Sequence, residues 1–206
     1  MLISFIKIGI RNLIKNKVYS FINILGLAVG LAGCILIGLF VEDEMSYDKF
    51  HENSENIYRL ALERIYPTHS TYYAITPHSF GDVLGEELPE VEQVVRLFNF
   101  VNPVVIRYEN EHGEELAMEE KHVLLADSNF FKVFTIPLLK GDRETVMRGA
   151  NKLVMTESTA KRYFGDADPI NKILVTGAGE FTVSGVCRDL PENSHFKFDI
   201  IGSLNT

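Results

Sequence analysis

A run without charged residues, residues 18–41, is the feature that most restricts what this chain of 206 residues can fold into. At a helical rise of about 1.5 Å per residue it spans roughly 36 Å, which is enough to cross a bilayer with some tilt. The apolar part of a secretory signal is shorter, about 7–15 residues, and polar mature sequence follows it. The run therefore predicts a helix that stays in the membrane.

The run also contains Leu31, Ala32, Gly33 and Cys34, which are the residue types of a lipoprotein processing site. A lipoprotein processed there would begin with a further apolar stretch, where a polar tether is expected. We therefore expect that Cys34 is not lipidated, with lipidation and simple cleavage as the alternatives.

The charges on either side of the run predict its orientation. Four basic residues and no acidic residue precede it, namely Lys7, Arg11, Lys15 and Lys17. By the positive-inside rule, the N-terminus is cytoplasmic and the part after the run is outside. Without these four, 16 of the 20 Lys+Arg remain against 28 Asp+Glu, so the outer part carries a formal charge of −12. This balance argues against nucleic acid or anionic lipid as the partner of the outer part.

Small residues inside the run indicate contact with another membrane helix. Gly26 and Gly30 form a GxxxG pair, and Gly33 lies nearby. Small side chains let helix backbones approach closely in lipid, where burial of apolar surface does not drive association. The alternative is that these glycines reflect only the ordinary composition of membrane helices.

Residues 1–17 predict a second, amphipathic helix at the inner membrane surface. Apolar residues recur there at spacings of three and four, with Lys7, Arg11 and Lys15 on another face. The alternative interpretation is the basic start of a targeting signal.

Residues 42–206 are long enough for one sizeable domain, and their pattern predicts the α+β class. Strands are predicted over 57–63, 91–98, 102–110 and 152–158, the last leading directly into a helix over 157–165. Helices are also predicted over 77–89 and 126–134. Gly113 predicts one hairpin, and Gly177 with Gly179 a second. The predicted caps are Asp127 and Thr156 at helix starts and Gly165 at a helix end.

Motifs that carry chemistry are missing from the sequence. The six histidines show neither HExxH nor HxH spacing, and the sequence contains no G-x-x-x-x-G-K-[ST] loop and no G-x-S-x-G turn. Phe130, Phe131 and Phe134 fit one buried helix face, and Cys187 fits a packed strand position. We therefore predict no catalytic residue, no cofactor and no metal site.

Several stretches together resemble the N-terminal part of MacB/FtsX-type ABC transporter permeases and their periplasmic core domain. They are IRNLIKNKVYSFINILGLAVGLAGCILI, DEMSYDKFHENSENIYRL, LLADSNFFKVFTIPLLKGD, LVMTESTAKRYFGDADPINKIL and FTVSGVCRDLPENSHFKFDII. The resemblance implies a permease subunit in the bacterial inner membrane, whose periplasmic domain moves when a separate ABC-type ATPase subunit cycles.

The resemblance also implies a second permease copy or module and the lipid bilayer as partners. In the family, further membrane helices follow the periplasmic domain, so we expect the domain at 42–206 to be incomplete. The alternative function is a single-pass or lipid-anchored periplasmic binding or sensor module.

Overall fold

The computed structural model describes residues 2–110 and 113–204. The chain divides into two compact units. We call Met1–Tyr47 the helical unit and Asp48–Thr206 the sheet unit.

The helical unit consists of helix α1, Leu2–Lys15, and helix α2, Lys17–Glu44. Asn16 separates them because its backbone leaves the helical region, with φ −109° and ψ 58°. None of the 28 residues of α2 is buried. Within the part of the chain that the structure describes, α2 is the one helix long and apolar enough to cross a membrane.

The sheet unit holds eleven strands and three helices among its described residues. The strands are β1 Leu62–Ile65, β2 Ser70–Tyr73, β3 Leu97–Asn99, β4 Val104–Glu109, β5 Glu115–Glu120, β6 Val123–Ala126, β7 Leu138–Lys140, β8 Lys152–Thr156, β9 Ile173–Thr176, β10 Gly179–Cys187 and β11 Ile200–Ser203. The helices are α3 Ser79–Glu87, α4 Phe130–Val133 and α5 Glu157–Phe164, and a 3-10 turn spans Ser54–Asn56.

Nine of these described strands form one mixed sheet. Its order is β3-β6-β11-β8-β10-β9-β4-β5, and β7 pairs with the end of β10 on the edge opposite β8. β11 runs parallel to β6 and antiparallel to β8, and β8 runs parallel to β10. β1 and β2 form a separate two-stranded hairpin. The predicted α+β class is therefore confirmed.

Alternating side chains on the central strands belong to two different buried clusters. Met155 and Ile200 belong to the first cluster, whereas Val154, Cys187 and Ile201 belong to the second. Adjacent strand residues enter different clusters because successive side chains point to opposite faces of a sheet. Burial raises the pKa of the Cys187 thiol to about 12, so this residue behaves as a packed apolar side chain, as predicted.

The aromatic helix face predicted from the sequence is also confirmed. Phe130 and Phe131 are completely buried, and Phe134 is 7% exposed. Their rings pack edge-on or tilted against one another, with centroids 5.2 Å apart for Phe130 and Phe131 and 4.9 Å apart for Phe130 and Phe134.

Elements with local sequence signals form where they were predicted. Gly113 has φ 77° in the turn between β4 and β5, and Gly179 has φ 128° at the start of β10. Gly165 ends α5 with φ 60°, a conformation that costs glycine little. Thr156 is the N-cap residue of α5, but its hydroxyl donates to the Thr159 hydroxyl (2.9 Å) and not to the helix backbone.

The prediction that Asp127 caps the following helix is wrong. The N-cap position of α4 is Asn129, and the Asp127 carboxylate binds Arg96. Arg96 Nε and Nη2 donate to this carboxylate over 2.8 and 2.9 Å, and the Arg96 backbone N–H adds a third bond of 2.8 Å. A charge-assisted, two-pronged bond to guanidinium is stronger than a cap, so the carboxylate turns toward Arg96.

Two predicted strands have different bounds in the structure. The strand predicted over 57–63 begins at Leu62, where Tyr73 provides the first ladder partner. The strand predicted over 91–98 is confined to β3 at its C-terminal end. Before β3, the Asn129 side chain donates to the Val94 carbonyl (3.0 Å), so side-chain bonds replace a strand ladder there.

Gly185 on β10 provides a test of packing in the sheet. A Cβ there would clash with Val146 Cγ2 and lie 3.1 Å from the Lys140 carbonyl oxygen. Because Val146 is β-branched and buried, Gly185→Ala should lower the free energy of unfolding by about 1–3 kcal/mol. Thermal unfolding in detergent, followed by circular dichroism, should show a melting temperature lower by about 2–4 °C per kcal/mol.

Gly177→Ala is the matched control, because a Cβ at Gly177 would meet no atom within 4 Å. Equal melting temperatures for the two variants would contradict the packing argument.

Candidate functional site

The first residues of the sheet unit are attached to two loops far along the chain. We call this arrangement the junction clamp and define it as the bonds that join Asp48, His51 and Glu52 to three residues, Thr135, Asn193 and His195. Asp48 directly follows the last residue of the helical unit in the sequence. The junction clamp therefore fixes the chain at the point where it enters the sheet unit.

Asp48 makes one side of the junction clamp. Its backbone N–H donates to the Asn193 carbonyl (3.0 Å), and its Oδ1 accepts from the His195 backbone N–H (3.0 Å). Its Oδ2 lies 2.7 Å from His195 Nδ1. The backbone of Asp48 has φ 56°, in the left-handed region that aspartate tolerates better than most residues. The two bonds to His195 join residues 147 positions apart.

Thr135 makes the other side of the junction clamp. Its backbone N–H donates to His51 Nδ1 (3.1 Å), and its hydroxyl oxygen accepts from the Glu52 backbone N–H (3.0 Å). The His51 ring is packed among aromatic rings, with centroids 4.1 Å from Phe50 and 5.3 Å from Phe134. Burial lowers the pKa of His51 more than the nearby Asp48 carboxylate raises it.

The two loops of the junction clamp lead into central strands. Thr135 lies between α4 and β7, and β7 pairs with β10. Asn193 and His195 lie between β10 and β11. A displacement of Asp48 would therefore act on loops that are covalently continuous with three strands of the large sheet.

An open groove of about 320 Å³ adjoins the junction clamp. It shares Phe50 and Thr135 with the clamp segments, and its lining is mostly apolar: Phe50, Thr135, Ile136, Pro137, Arg188, Asp189, Leu190 and Pro191. Two of the lining residues are joined by a bond from the Arg188 backbone N–H to the Pro137 carbonyl (2.9 Å).

Glu120 forms a separate polar cluster, and it is buried with 4% exposure. Arg162 Nη2 donates to both of its carboxylate oxygens over 2.7 Å, and the Tyr163 hydroxyl donates over 2.9 Å. Burial and the Glu120 carboxylate raise the pKa of Tyr163, which keeps the phenol protonated as a donor. These three hydrogen bonds attach α5, which carries Arg162 and Tyr163, to β5, which carries Glu120.

Residues 2–110 and 113–204 contain no group of three or more His, Cys, Asp or Glu side chains placed to hold a metal ion. Two of the histidines that show no metal-binding spacing in the sequence have structural contacts instead. His51 is buried, and His195 pairs with Asp48.

The glycines predicted to pack against another helix lie on one stripe of α2. At 100° per residue, Gly26, Gly30 and Gly33 fall within roughly 60° of one another around the helix axis. A Cβ at any of them would meet no described atom within 4 Å. The predicted topology residues Lys7, Arg11, Lys15 and Lys17 are exposed on α1 and at the start of α2.

The junction clamp itself was missed by the sequence analysis. Asp48 and His51 lie in DEMSYDKFHENSENIYRL, and His195 lies in FTVSGVCRDLPENSHFKFDII, so both stretches had been singled out. Their pairing could not be inferred, because one sequence contains no signal that joins positions 147 residues apart.

The chain is similar to several solved structures, and the one with a TM-score above 0.5 supports the fold. A domain of a protein described as a permease from Porphyromonas gingivalis is 22% identical with a TM-score of 0.54, and the match covers 66% of this chain and 56% of that one. The periplasmic region of MacB from Actinobacillus actinomycetemcomitans is 18% identical, with a TM-score of 0.45 and coverage of 62% and 55%. The extracellular domain of the noncanonic ABC-type transporter YknZ from Gram-positive bacteria is also 18% identical, with a TM-score of 0.44 and coverage of 62% and 62%.

This chain therefore spans between 55% and 62% of the length of these three solved chains. No curated protein sequence matches it. The sequence profile of the MacB-like periplasmic core domain matches residues 20–206, from the first turn of α2 to the end of the sheet unit. With most of its length inside this match, the chain belongs to the family of the MacB-like periplasmic core domain.

Proposed function

We propose that the chain acts in a permease subunit of an ABC transporter, in which ATP hydrolysis by a separate ATPase subunit moves the sheet unit outside the membrane. The sheet unit then serves export or mechanical transmission, and the chain itself does no ATP chemistry. Its partners are the ATPase subunit, a second permease copy or module, and the lipid bilayer. The N-terminus is cytoplasmic, α2 crosses the bacterial inner membrane, and the sheet unit is periplasmic.

The observation that carries this proposal is the junction clamp in a chain of this family. The family match begins inside α2 and continues through the sheet unit, so helix and sheet belong to one matched region. Residues directly after the helical unit are bonded to the loops that lead into β7, β10 and β11. A mechanical transmitter needs the first residues of its outer domain to be held firmly by the rest of that domain.

Asp48→Asn tests the role of the junction clamp. The substitution keeps the side-chain shape but removes the charge opposite His195, which should weaken the clamp by about 1 kcal/mol. We would purify the permease with its ATPase from membranes in mild detergent and measure hydrogen exchange of the sheet unit with and without ATP. The wild type should show an ATP-dependent difference, and the variant a smaller one.

Glu115→Gln is the matched control, because it removes a carboxylate from an exposed pair with Arg107 (3.3 Å) far from the clamp in the sheet order. A full ATP response in Asp48→Asn would contradict transmission through the clamp. Absence of a co-purifying ATPase would contradict the permease function and favour the anchored binding or sensor module.

The glycine stripe of α2 should pack against another membrane helix of the assembly. Changing Gly26, Gly30 and Gly33 together to Leu should abolish that packing, because a large side chain prevents close approach of the backbones. Crosslinking in membranes should show loss of the assembled species. Gly38→Leu is the control, since Gly38 lies roughly 120° around the helix from Gly26. Equal assembly in both variants would contradict the stripe.

The basic residues before α2 should determine its orientation. Changing Lys7, Arg11, Lys15 and Lys17 to Gln should leave a fraction of the chains inverted, because the positive-inside bias is removed. Protease added to intact spheroplasts should digest the sheet unit of the wild type completely and that of the variant only in part. Protection of the wild-type sheet unit, or a mature N-terminus at a lipidated Cys34, would contradict the proposed topology.

A further inference from the structure

Among the described residues of the junction clamp, His51 is the one whose side chain has a buried polar atom without a hydrogen-bond partner. It is 3% exposed, and its Nε2 is buried without a hydrogen-bond partner. Three aromatic rings surround it, with centroids 4.1 Å (Phe50), 5.3 Å (Phe134) and 6.4 Å (Phe196) from the imidazole. A buried polar atom without a partner costs free energy and calls for an explanation.

The bond from Thr135 decides where the proton of the neutral ring is. The Thr135 backbone N–H can only donate, so His51 Nδ1 must offer a lone pair. The proton of the neutral imidazole is then on Nε2, which faces no acceptor. The junction clamp is therefore built for neutral His51 alone.

A second proton on His51 would enter at Nδ1 and would face the N–H of Thr135. Two donors cannot bond, so the contact would be lost, and a cation would be left among aromatic rings away from water. The carboxylate of Asp48 opposes this effect, but it already accepts two bonds from His195.

The remaining charged groups around the ring do not offset it. In the packed segments 134–136 and 193–196, the one titratable side chain is His195. On the chain segment of His51 itself, Lys49 and Glu52 are exposed. His195 is paired with Asp48 on the other side of the clamp, where its Nδ1 lies 2.7 Å from Asp48 Oδ2.

We propose that His51 makes the junction clamp an acid-sensitive latch, which protonation at Nδ1 opens by breaking the bond from Thr135. Opening would free residues 50–52 from the loop at 134–137, and Phe50 and Thr135 line the groove of about 320 Å³. Acid would therefore loosen both the attachment of residues 50–52 to the rest of the sheet unit and the part of this groove that Phe50 and Thr135 line.

The direction of the pH effect follows from the protonation states. Burial lowers the pKa of His51 in the closed latch, whereas in the open latch it returns to about 6.5. The open state thus binds more protons as the pH falls below about 6.5. The ratio of open to closed latch should rise by up to about tenfold per pH unit, until the pH reaches the lowered pKa.

The test uses the whole chain in lipid nanodiscs. NMR of labelled histidines should find the neutral His51 ring protonated at Nε2 and titrating below pH 6.5. Hydrogen exchange, corrected for intrinsic rates, should show the Thr135 and Glu52 amides losing protection between pH 7.5 and 5.5. Both readouts are independent of any transport activity.

His51→Asn supplies the non-titrating comparison, because its Oδ1 can accept from the Thr135 N–H at every pH in this range. The acid-induced loss of protection should disappear in this variant and persist in His122→Asn, whose ring lies at the separate site beside Asp199 (3.7 Å). The latch would be refuted by an Nδ1-protonated neutral ring, by titration at or above pH 6.5, or by equal acid responses in wild type and His51→Asn. The NMR result decides the matter even if the variant does not fold.

Discussion

The sheet unit depends on the pairing of β11 with two neighbours at once. Ile200–Ser203 runs parallel to β6 on one side and antiparallel to β8 on the other, and all four of its residues are buried. It is the link between the β3-β6 pair and the strands from β8 to β5. The backbone also passes close to its neighbour here, since a Cβ at Gly202 would lie 2.8 Å from Leu125 Cδ2. Without β11, the sheet would separate into two parts, and both buried clusters would be exposed along that line.

The loop that delivers β11 to its place also binds the start of the unit. It leaves β10 after Cys187 and carries Asn193 and His195, the partners of Asp48. The central strands and the point of chain entry are therefore held by one segment. Because one loop carries both sets of contacts, a few hydrogen bonds at the junction clamp can influence strands that lie much farther along the chain.

Two buried carboxylates elsewhere in the sheet unit are each bonded by several donor groups. Asp127 is bonded by Arg96, and Glu120 is bonded by Arg162 and Tyr163, so each buried carboxylate has charged or hydroxyl donors. Such networks hold α3 and α5 in position. The contrast with the His51 ring, which lacks a partner at Nε2, is what separates a structural network from a candidate switch.

Elements with a local cause could be predicted from residues close together in the sequence. The uncharged run predicts α2 because a long apolar helix satisfies its own backbone, and glycines at turns predict the β4–β5 and β9–β10 hairpins. The pair of β8 and α5 follows likewise from Thr156 at the start of the helix and Gly165 at its end. The stretches that carried the family resemblance were also readable, although the contacts between them were not.

The tertiary structure decided those strands and side-chain contacts that depend on residues far apart in the sequence. Strands β6, β7 and β11 were not predicted, because segments of only three or four residues become strands when a partner far along the chain supplies their hydrogen bonds. Asp127 has the residue type and position of a cap, yet Arg96, 31 residues away, takes its carboxylate. The sequence by itself determined the membrane-length helix, the fold class and the local turns. Only the tertiary structure decided the strand order, the partner of each buried charge and the junction clamp, because those bonds join residues that the chain brings together only after it has folded.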